Sequence, residues 1–439
     1  MSSKMQEYHE KVKQFLPGGV HYNFNLPWEE SPLHFVKTEN SRVFDMDGNE
    51  YLDLYARFGA MILGHANKDY QDALKEAIDR VLCVSHCDFD YEVLELIHRL
   101  VPSAEMIRFG LAGTEIVQNA LRVARAYTGK NRFVRFEKHY HGNNDNIMGG
   151  KVKDKEYPVP SDFAGDTYGT SGRAADCMES QSFLLPWNDE EALEKLLKEH
   201  GDEIAAVITE AMCVNGGSVE PKPGYLQKMR SLCDQYHVVL IFDEIITGFR
   251  VGLGGAQGYY GVTPDLTTFG KAIAGGGVPV SVLAGKKEIM SLLEAKKVIH
   301  AGTFNGYPLG LAAVKATLEI LSKDNGAIYP KMQEKITAIQ NILVQNAAKA
   351  GVPLIVQGLP GCAAYHCCEK PLESPSEYNF DIITKDIILN TCMQKHGILI
   401  SSMSRLYSNI TLSDDDVAWF EKNSMGALRD AAEIFEDIC

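Results

Sequence analysis

The stretch VVLIFDE, residues 238–244, places two acidic side chains directly after a short apolar run. A run of this length is typical of a strand that is buried on both faces of a parallel sheet. Residues 189–200 and 224–236 have helical spacing, and residues 204–209 form another strand-like run, which is apolar as far as Ile208. This alternation of helices and strands predicts an α/β fold around a mostly parallel sheet.

Two further helix assignments can be tested against a structure. Residues 69–82 have apolar side chains at the spacing of an amphipathic helix, namely Tyr70, Leu74, Ala77 or Ile78, and Val81. Asn188 is positioned to cap the helix at residues 189–200, which Gly201 would end.

The two ends of the chain follow a different pattern. Residues 1 to about 45 are rich in turns, and residues 45–55 resemble a hairpin around Asp47-Gly48. From about residue 325 onward, long helices alternate with short strands such as residues 397–401. A chain of 439 residues can form two packed domains. We therefore expect a large domain at residues 51–325, and a smaller α+β domain built from residues 1–50 and 326–439.

Composition argues against several functional classes. The formal net charge of −15 disfavours binding to nucleic acid or to an anionic membrane. The first ten residues, MSSKMQEYHE, lack the apolar segment of a signal peptide, and the apolar runs are too short to span a bilayer. The cysteines are scattered without paired CxxC motifs, so no metal site is predicted. We expect a cytoplasmic protein with reduced thiols.

Charged residues follow several of the predicted strands. Ligands of open α/β sheets bind at the carboxyl ends of the strands. Asp243 follows the run at residues 238–242, Glu210 follows residues 204–209, and Lys271 follows residues 264–270, which are interpreted as a loop. Taken alone, Asp243 could be a helix cap or part of a buried ion pair, and Lys271 could be a solvated surface charge.

The stretch TTFGKAIAGGG, residues 267–277, places Lys271 between apolar residues and three glycines. A desolvated lysine has a lowered pKa and becomes a nucleophile that can form a Schiff base. A buried aspartate can hold a cationic ring nitrogen. Lys271 and Asp243 together match the two needs of pyridoxal 5′-phosphate, which are an imine on the aldehyde and an anion beside the pyridinium nitrogen.

Three other motifs add candidate cofactor contacts. Gly113 and Thr114 open a predicted helix, whose N-terminus suits a phosphate. The motif KHYHG, residues 138–142, supplies Tyr140, which could stack on a planar ring, together with His141. Thr303 offers a second hydroxyl in a glycine-rich loop.

These motifs in this order resemble the class III pyridoxal-phosphate aminotransferases, and the nearest branch is glutamate-1-semialdehyde 2,1-aminomutase. The motifs that carry the resemblance are GTE, YHG, Glu210, FDEIITGFR, TTFGKAIAGGG and AGTFNGYPL, with PGGV, MILGH and GAQGYYGVTPDL. The likeness covers nearly the whole chain. It implies fold type I, in which a large domain with a mostly parallel central sheet binds the cofactor and a smaller α+β domain is formed by both chain ends.

The resemblance also implies roles for individual residues. Lys271 would be the Schiff-base lysine and the acid and base of the proton transfer, and Asp243 would be the pyridinium partner. Glu210 would orient the network beside the ring. Thr303 would reach the phosphate of a neighbouring subunit, which implies a homodimer with active sites at the subunit interface.

The chain departs from the aminomutases where those enzymes bind the substrate carboxylate. Tyr22 and Asn25 stand in place of a serine and an arginine, and Arg57-Phe58 stands in place of a small residue and a tryptophan. Arg405 lies near the position of a family glutamate that is absent here. An arginine suits a carboxylate, phosphate or phosphonate. We therefore expect a small amine substrate with an anionic group, recognised by Arg57 and Arg405 with Tyr22 and Phe58 nearby. Salt bridges to Glu50 or Asp53 are the structural alternative for Arg57.

Three reactions remain compatible with these residues. The first is amino-group transfer between an amine and a keto acid. The second is a lyase reaction that expels ammonia or phosphate, and the third is an aminomutase or epimerase reaction. All three need the same cofactor residues, so the sequence does not separate them. A binding module without catalysis would leave the pairing of Lys271 with Asp243 unexplained.

Overall fold

The structure is a computed structural model that describes residues 3–21, 32–148, 181–401 and 403–438. The strands in chain order are β1 (Phe35–Glu39), β2 (Arg42–Asp45), β3 (Glu50–Asp53), β4 (Met106–Gly110), β5 (Arg132–Phe136), β6 (Ser182–Leu185), β7 (Ile204–Thr209), β8 (Val239–Glu244), β9 (Leu266–Phe269), β10 (Ser281–Gly285), β11 (Ile355–Gln357), β12 (Cys362–His366), β13 (Ile398–Leu399) and β14 (Arg405–Tyr407). The longer helices are Lys4–Val12, Lys68–Val81, Asp90–Leu100, Gly113–Thr128, Glu190–His200, Tyr225–Gln235, Gly255–Tyr260, Lys287–Glu294, Pro308–Ser322, Ile328–Ala350, Phe380–Lys395 and Asp414–Ile438.

The larger of two compact units comprises residues 69–327 and 372–378. Its seven-stranded sheet has the order β4-β10-β9-β8-β7-β5-β6. Strands β6, β5, β7, β8 and β9 run parallel, and β10 is antiparallel to both β4 and β9. The prediction of an α/β fold with a mostly parallel sheet is therefore confirmed.

Helices cover the sheet with their apolar faces. Every residue of β7 and β8 is buried. The helix Gly113–Thr128 packs its apolar face against them through Ile116, Ala120, Leu121 and Ala124, which are all at most 1% exposed. Burial of each large side chain in this layer stabilises the fold by roughly 1.5–3 kcal/mol.

The smaller unit comprises residues 1–68, 328–371 and 379–439. Its sheets have the orders β1-β2-β3-β13 and β11-β12-β14. The hairpin predicted around Asp47-Gly48 is present as the antiparallel pair β2 and β3. The sequence predicted the first domain boundary after residue 50, whereas the boundary between the two compact units falls after Lys68. The reason is that β3 pairs with β13, so the chain just after residue 50 belongs to the sheet of the smaller unit.

Three local expectations are corrected. The cap of the helix Glu190–His200 is Asp189, whose carboxylate accepts from the Ala192 amide, while the Asn188 side chain bonds the loop at Glu220 and Lys222 instead. Strand β8 begins and ends later than predicted, so Asp243 and Glu244 lie within the strand rather than after it. Residues 266–269, interpreted as loop, form strand β9.

Among the described residues, no helix combines the length and the apolar character that crossing a membrane requires.

Candidate functional site

The carboxylate of Asp243 lies at the carboxyl edge of the large sheet and is 5% exposed. Its Oδ2 is 2.7 Å from Nδ1 of His141, and its Oδ1 accepts from the Ile245 amide at 3.1 Å and from the Thr268 hydroxyl at 3.2 Å. An ionised carboxylate offers about four acceptor positions. The donors among the described residues use three of them, which leaves one position for a further donor.

Glu210 follows β7 and its carboxylate is also buried. It accepts from the amides of Tyr140, Val214 and Asn215 and from the side-chain amide of Asn215, at 2.7–3.1 Å. Burial raises the pKa of this carboxyl group, and the donors oppose that rise. The sequence grouped Glu210 with the catalytic residues. Because its acceptor positions are taken by protein donors, its position fits a residue that holds the loop around Tyr140.

Lys271 begins a short 3-10 turn directly after β9 and Gly270. It is half-buried and has a φ of 49°, a left-handed conformation that is costly for a residue with a side chain. Such strain is typical of functional sites, because the surrounding structure must hold the residue in place. Lys271, Asp243 and Glu210 all lie at the same edge of the sheet, since β9, β8 and β7 are parallel.

The glycines after Lys271 have a structural explanation that the sequence did not give. Gly275 and Gly276 have φ values of 67° and 87°, which glycine adopts without strain. A Cβ at Gly277 would lie 2.7 Å from the hydroxyl oxygen of Tyr70, which donates to the Ala274 carbonyl at 2.7 Å. Gly275 and Gly276 therefore allow the turn after Lys271 to form, and Gly277 leaves room for Tyr70, whose hydrogen bond to Ala274 holds that turn.

Gly113 and Thr114 begin a 16-residue helix at the same edge of the sheet. The preceding Ala112 provides no side-chain cap, so the first amides of the helix are available to an anion. The Thr114 hydroxyl is 3.2 Å from Oδ1 of Asn143. Gly142 packs so closely that a Cβ there would lie 2.6 Å from the Thr114 hydroxyl oxygen.

Tyr140 and Thr303, the two other residues of the large unit predicted to contact the cofactor, are exposed. Tyr140 is 41% exposed, and burial of its inner part and the charge of Asp243 raise its pKa. Thr303 is exposed in the turn that follows Gly302.

Arg57 and Phe58 of the smaller unit form a left-handed turn. Ala56, Arg57 and Phe58 have φ values of 47°, 48° and 56°, and Gly59 continues the turn at 79°. Three consecutive non-glycine residues in this conformation store strain of about 1–3 kcal/mol each. The Tyr55 and Phe58 rings meet edge to face with their centroids 4.8 Å apart.

The salt bridges considered for Arg57 are not formed. Asp53 instead bonds His65 at 2.8 Å, and Glu50 lies 3.6 Å from Arg42. Within the described part of the chain the exposed Arg57 side chain forms no ion pair.

Of the other substrate residues predicted from the sequence, only Arg405 is described. Arg405 begins β14 and is 4% exposed, whereas Arg57 is exposed. Tyr22 and Asn25 lie outside the described residues.

Two residues of this site lie beside predicted ones but were not themselves singled out. His139 and Trp187 have ring centroids 4.6 Å apart, next to the chain segment that carries Tyr140 and His141. His139 stands in the quoted motif KHYHG, so it could have been found there, whereas Trp187 is distant in sequence and no pattern connects it to the motif.

The large unit contains the groups that pyridoxal phosphate needs. Asp243 has one acceptor position left for a ring N–H, and a lysine stands at the end of the neighbouring strand. The first amides of the helix at Gly113 and Thr114, which no side chain caps, suit a phosphate, and the Tyr140 side chain is 41% exposed. The donors and acceptors therefore fit this cofactor.

Comparison with known proteins agrees with this chemistry. The family described as aminotransferase class-III matches residues 26–422. A protein named glutamate-1-semialdehyde 2,1-aminomutase from Natranaerobius thermophilus is 34% identical over 98% of this chain and 99% of its own length.

Solved structures share the fold over almost the whole chain. An omega-transaminase from Sphaerobacter thermophilus has a TM-score of 0.89 at 28% identity, covering 98% of both chains. A glutamate-1-semialdehyde aminomutase from Pseudomonas aeruginosa, solved in complex with PMP, has a TM-score of 0.84 at 22% identity, covering 98% of this chain and 94% of its own. The fold is therefore that of the fold type I enzymes, and the chain belongs to the class-III aminotransferase family of pyridoxal-phosphate-dependent enzymes.

Proposed function

We propose that this enzyme transfers the amino group of a small amine or amino acid that carries a carboxylate, phosphate or phosphonate. Lys271 would attach the cofactor through its aldehyde, and Asp243 would hold its ring nitrogen. One observation carries this proposal. Lys271, which has a strained backbone, and the buried carboxylate of Asp243, which keeps one acceptor position, lie at the same edge of the sheet.

Each residue of the site would have a separate role in this reaction. When bound, the cofactor supplies an electron sink for the charge left after loss of a proton. Lys271, released when the substrate amine takes its place on the cofactor, would take that proton from the substrate carbon and deliver it to the former aldehyde carbon of the cofactor. Asp243 would keep the ring nitrogen protonated, Tyr140 would cover one ring face, and the amides of Gly113 and Thr114 would hold the phosphate.

The assembly that goes with this function is a homodimer with active sites at the subunit interface. Thr303 supports it, because its hydroxyl is exposed in a turn and is thus available to the phosphate of a second copy.

A panel of amines tests the reaction type. The purified enzyme is mixed with amino acids, aminophosphonates and amino sugars, without added keto acid, while the cofactor spectrum and free ammonia are followed together. We expect stoichiometric conversion to the pyridoxamine form and no ammonia with the natural donor. Repeated release of ammonia or phosphate, with recovery of the starting spectrum, would replace the transaminase assignment by a lyase.

An aminomutase is the second candidate, because the relative at 34% identity bears that name. The same panel separates it when glutamate-1-semialdehyde is included. Isomerisation of this compound without any keto acid would identify a mutase, whereas a transaminase stops after one half-reaction.

Arg57→Gln tests the anionic substrate class. The exposed guanidinium has no ion pair among the described residues and is held by a strained turn, so it is available to a ligand anion. Hydrogen bonds to charged groups contribute about 1.5–3 kcal/mol, so we expect affinity for an anionic amine to fall roughly 10- to 100-fold. The measurement is the dissociation constant for the donor identified by the panel and for an uncharged amine of similar size.

The matched control is Arg429→Gln, an exposed arginine of the helix Asp414–Ile438. We expect it to leave both constants unchanged, and the Arg57 variant to leave the uncharged amine unaffected. Full affinity of Arg57→Gln for the anionic amine would remove Arg57 from substrate recognition.

A further inference from the structure

Three buried ring nitrogens in and around the motif that carries His141 lack a hydrogen-bond partner among the described residues. They are Nε2 of His139, Nε2 of His141 and Nε1 of Trp187. The His139 ring centroid is 5.8 Å from that of His141 and 4.6 Å from that of Trp187. Each unsatisfied buried group is unfavourable, so three together call for a common explanation.

The proton of His139 can be located from its partner. The Glu210 main-chain amide is 3.1 Å from Nδ1 of His139, and an amide can only donate. Burial, and then the neighbouring His141, lower the pKa of His139 well below its usual value, so the ring is neutral. Its single proton is therefore on Nε2, which is a donor.

The proton of His141 follows in the same way. Its Nδ1 is 2.7 Å from Oδ2 of Asp243, and a carboxylate only accepts, so Nδ1 carries a proton. In neutral His141 the other nitrogen, Nε2, is an acceptor. Trp187 Nε1 is always a donor. The cluster thus contains two donors and one acceptor.

We propose that His139 is a positioning residue for Asp243 and acts through one buried water. The water accepts from His139 Nε2 and Trp187 Nε1 and donates to His141 Nε2, which satisfies all three nitrogens. His141 is thereby held with its Nδ1 proton on Asp243. This inference rests on the proposed role of Asp243 as the partner of the cofactor ring nitrogen.

Two substitutions separate this role from a purely structural one. In His139→Asn the side-chain oxygen can stand in for Nδ1 and accept from the Glu210 amide, but the Nε2 donor is lost. In His139→Gln the side-chain amide can reach the place of Nε2 and donate, but the acceptor for Glu210 is lost. The first change removes the proposed function of the ring, and the second mainly removes its structural bond.

The measurement is the dissociation constant of pyridoxamine 5′-phosphate at pH 8, as the ratio of variant to wild type, together with the melting temperature. For His139→Asn we expect a ratio of about ten, because the hydrogen bond that holds His141 on Asp243 is lost. For His139→Gln, which restores the donor, we expect a ratio near one and a lower melting temperature. A ratio near one for the Asn variant, or an equal ratio for both variants, would overturn the proposal.

A failure of the proposed function can be distinguished from a failure of the role proposed for His139. If wild type and Asp243→Asn bind pyridoxamine 5′-phosphate equally well at pH 8, then Asp243 does not hold the ring and the basis of the inference is gone. If Asp243→Asn binds more weakly but the ratio for His139→Asn is near one, the function stands and only the role of His139 is refuted.

Discussion

Lys271→Ala is expected to remove the covalent attachment of pyridoxal phosphate and to lower turnover at least about 1000-fold, since in the proposed function Lys271 is both the attachment point and the general base. Borohydride reduction followed by peptide mass spectrometry provides the measurement. The wild-type enzyme should carry the reduced cofactor on the peptide that contains Lys271. The variant should carry none, and the cofactor should leave it on dialysis.

Lys130→Ala is the matched control. Burial lowers the pKa of Lys130, and its ammonium donates to the carbonyls of Gly201, Tyr236 and His237 at 2.8–3.1 Å. It precedes β5 and therefore lies at the opposite, amino edge of the parallel strands. We expect the control to lose stability but to retain the covalent label. Labelling of Lys271→Ala at another lysine would show that the Schiff base forms elsewhere.

The positions of Asp243, Glu210 and Lys271 could be predicted because each depends on local sequence. A buried parallel strand is a short apolar run, and its carboxyl end faces the ligand edge, so the next polar residue is a candidate. The errors in the bounds of these strands were small and of one kind. Asp243 lies inside β8 and residues 266–269 form a strand, because backbone pairing with neighbouring strands extends an element beyond its apolar residues.

The hydrogen bonds of the site could not be predicted, because they join distant parts of the chain. His141 and Asp243 are 102 residues apart, and Tyr140 and Glu210 are 70 residues apart. Gly277 makes room for Tyr70, which is distant in sequence. The left-handed turn at Arg57 also escaped prediction, since alanine, arginine and phenylalanine have no preference for positive φ.

Asp243→Asn is expected to separate cofactor attachment from catalysis. Lys271 is intact, so the covalent attachment should remain. Turnover should fall about 100- to 1000-fold, because a neutral amide cannot stabilise the protonated ring nitrogen on which the electron sink depends. In Asp243 the Oδ2 atom lies 2.7 Å from Nδ1 of His141. An amide nitrogen in place of Oδ2 would face the Nδ1–H of His141, and two donors would oppose each other. Single-turnover rates with a saturating amine, recorded with the cofactor spectrum, measure both effects.

Asp265→Asn controls for the loss of a buried carboxylate as such. Asp265 is also 5% exposed, and it pairs with Arg230 at 2.8 Å and Lys286 at 2.6 Å. It precedes β9, at the edge of the sheet away from Lys271. Breaking this pairing should lower the free energy of unfolding by about 3–5 kcal/mol while the folded enzyme keeps its single-turnover rate. Asp243→Asn should show the opposite pattern, with a loss of rate far larger than its loss of stability accounts for. If both variants lost rate only in proportion to stability, Asp243 would be a structural residue, and the electron sink would need another anionic partner.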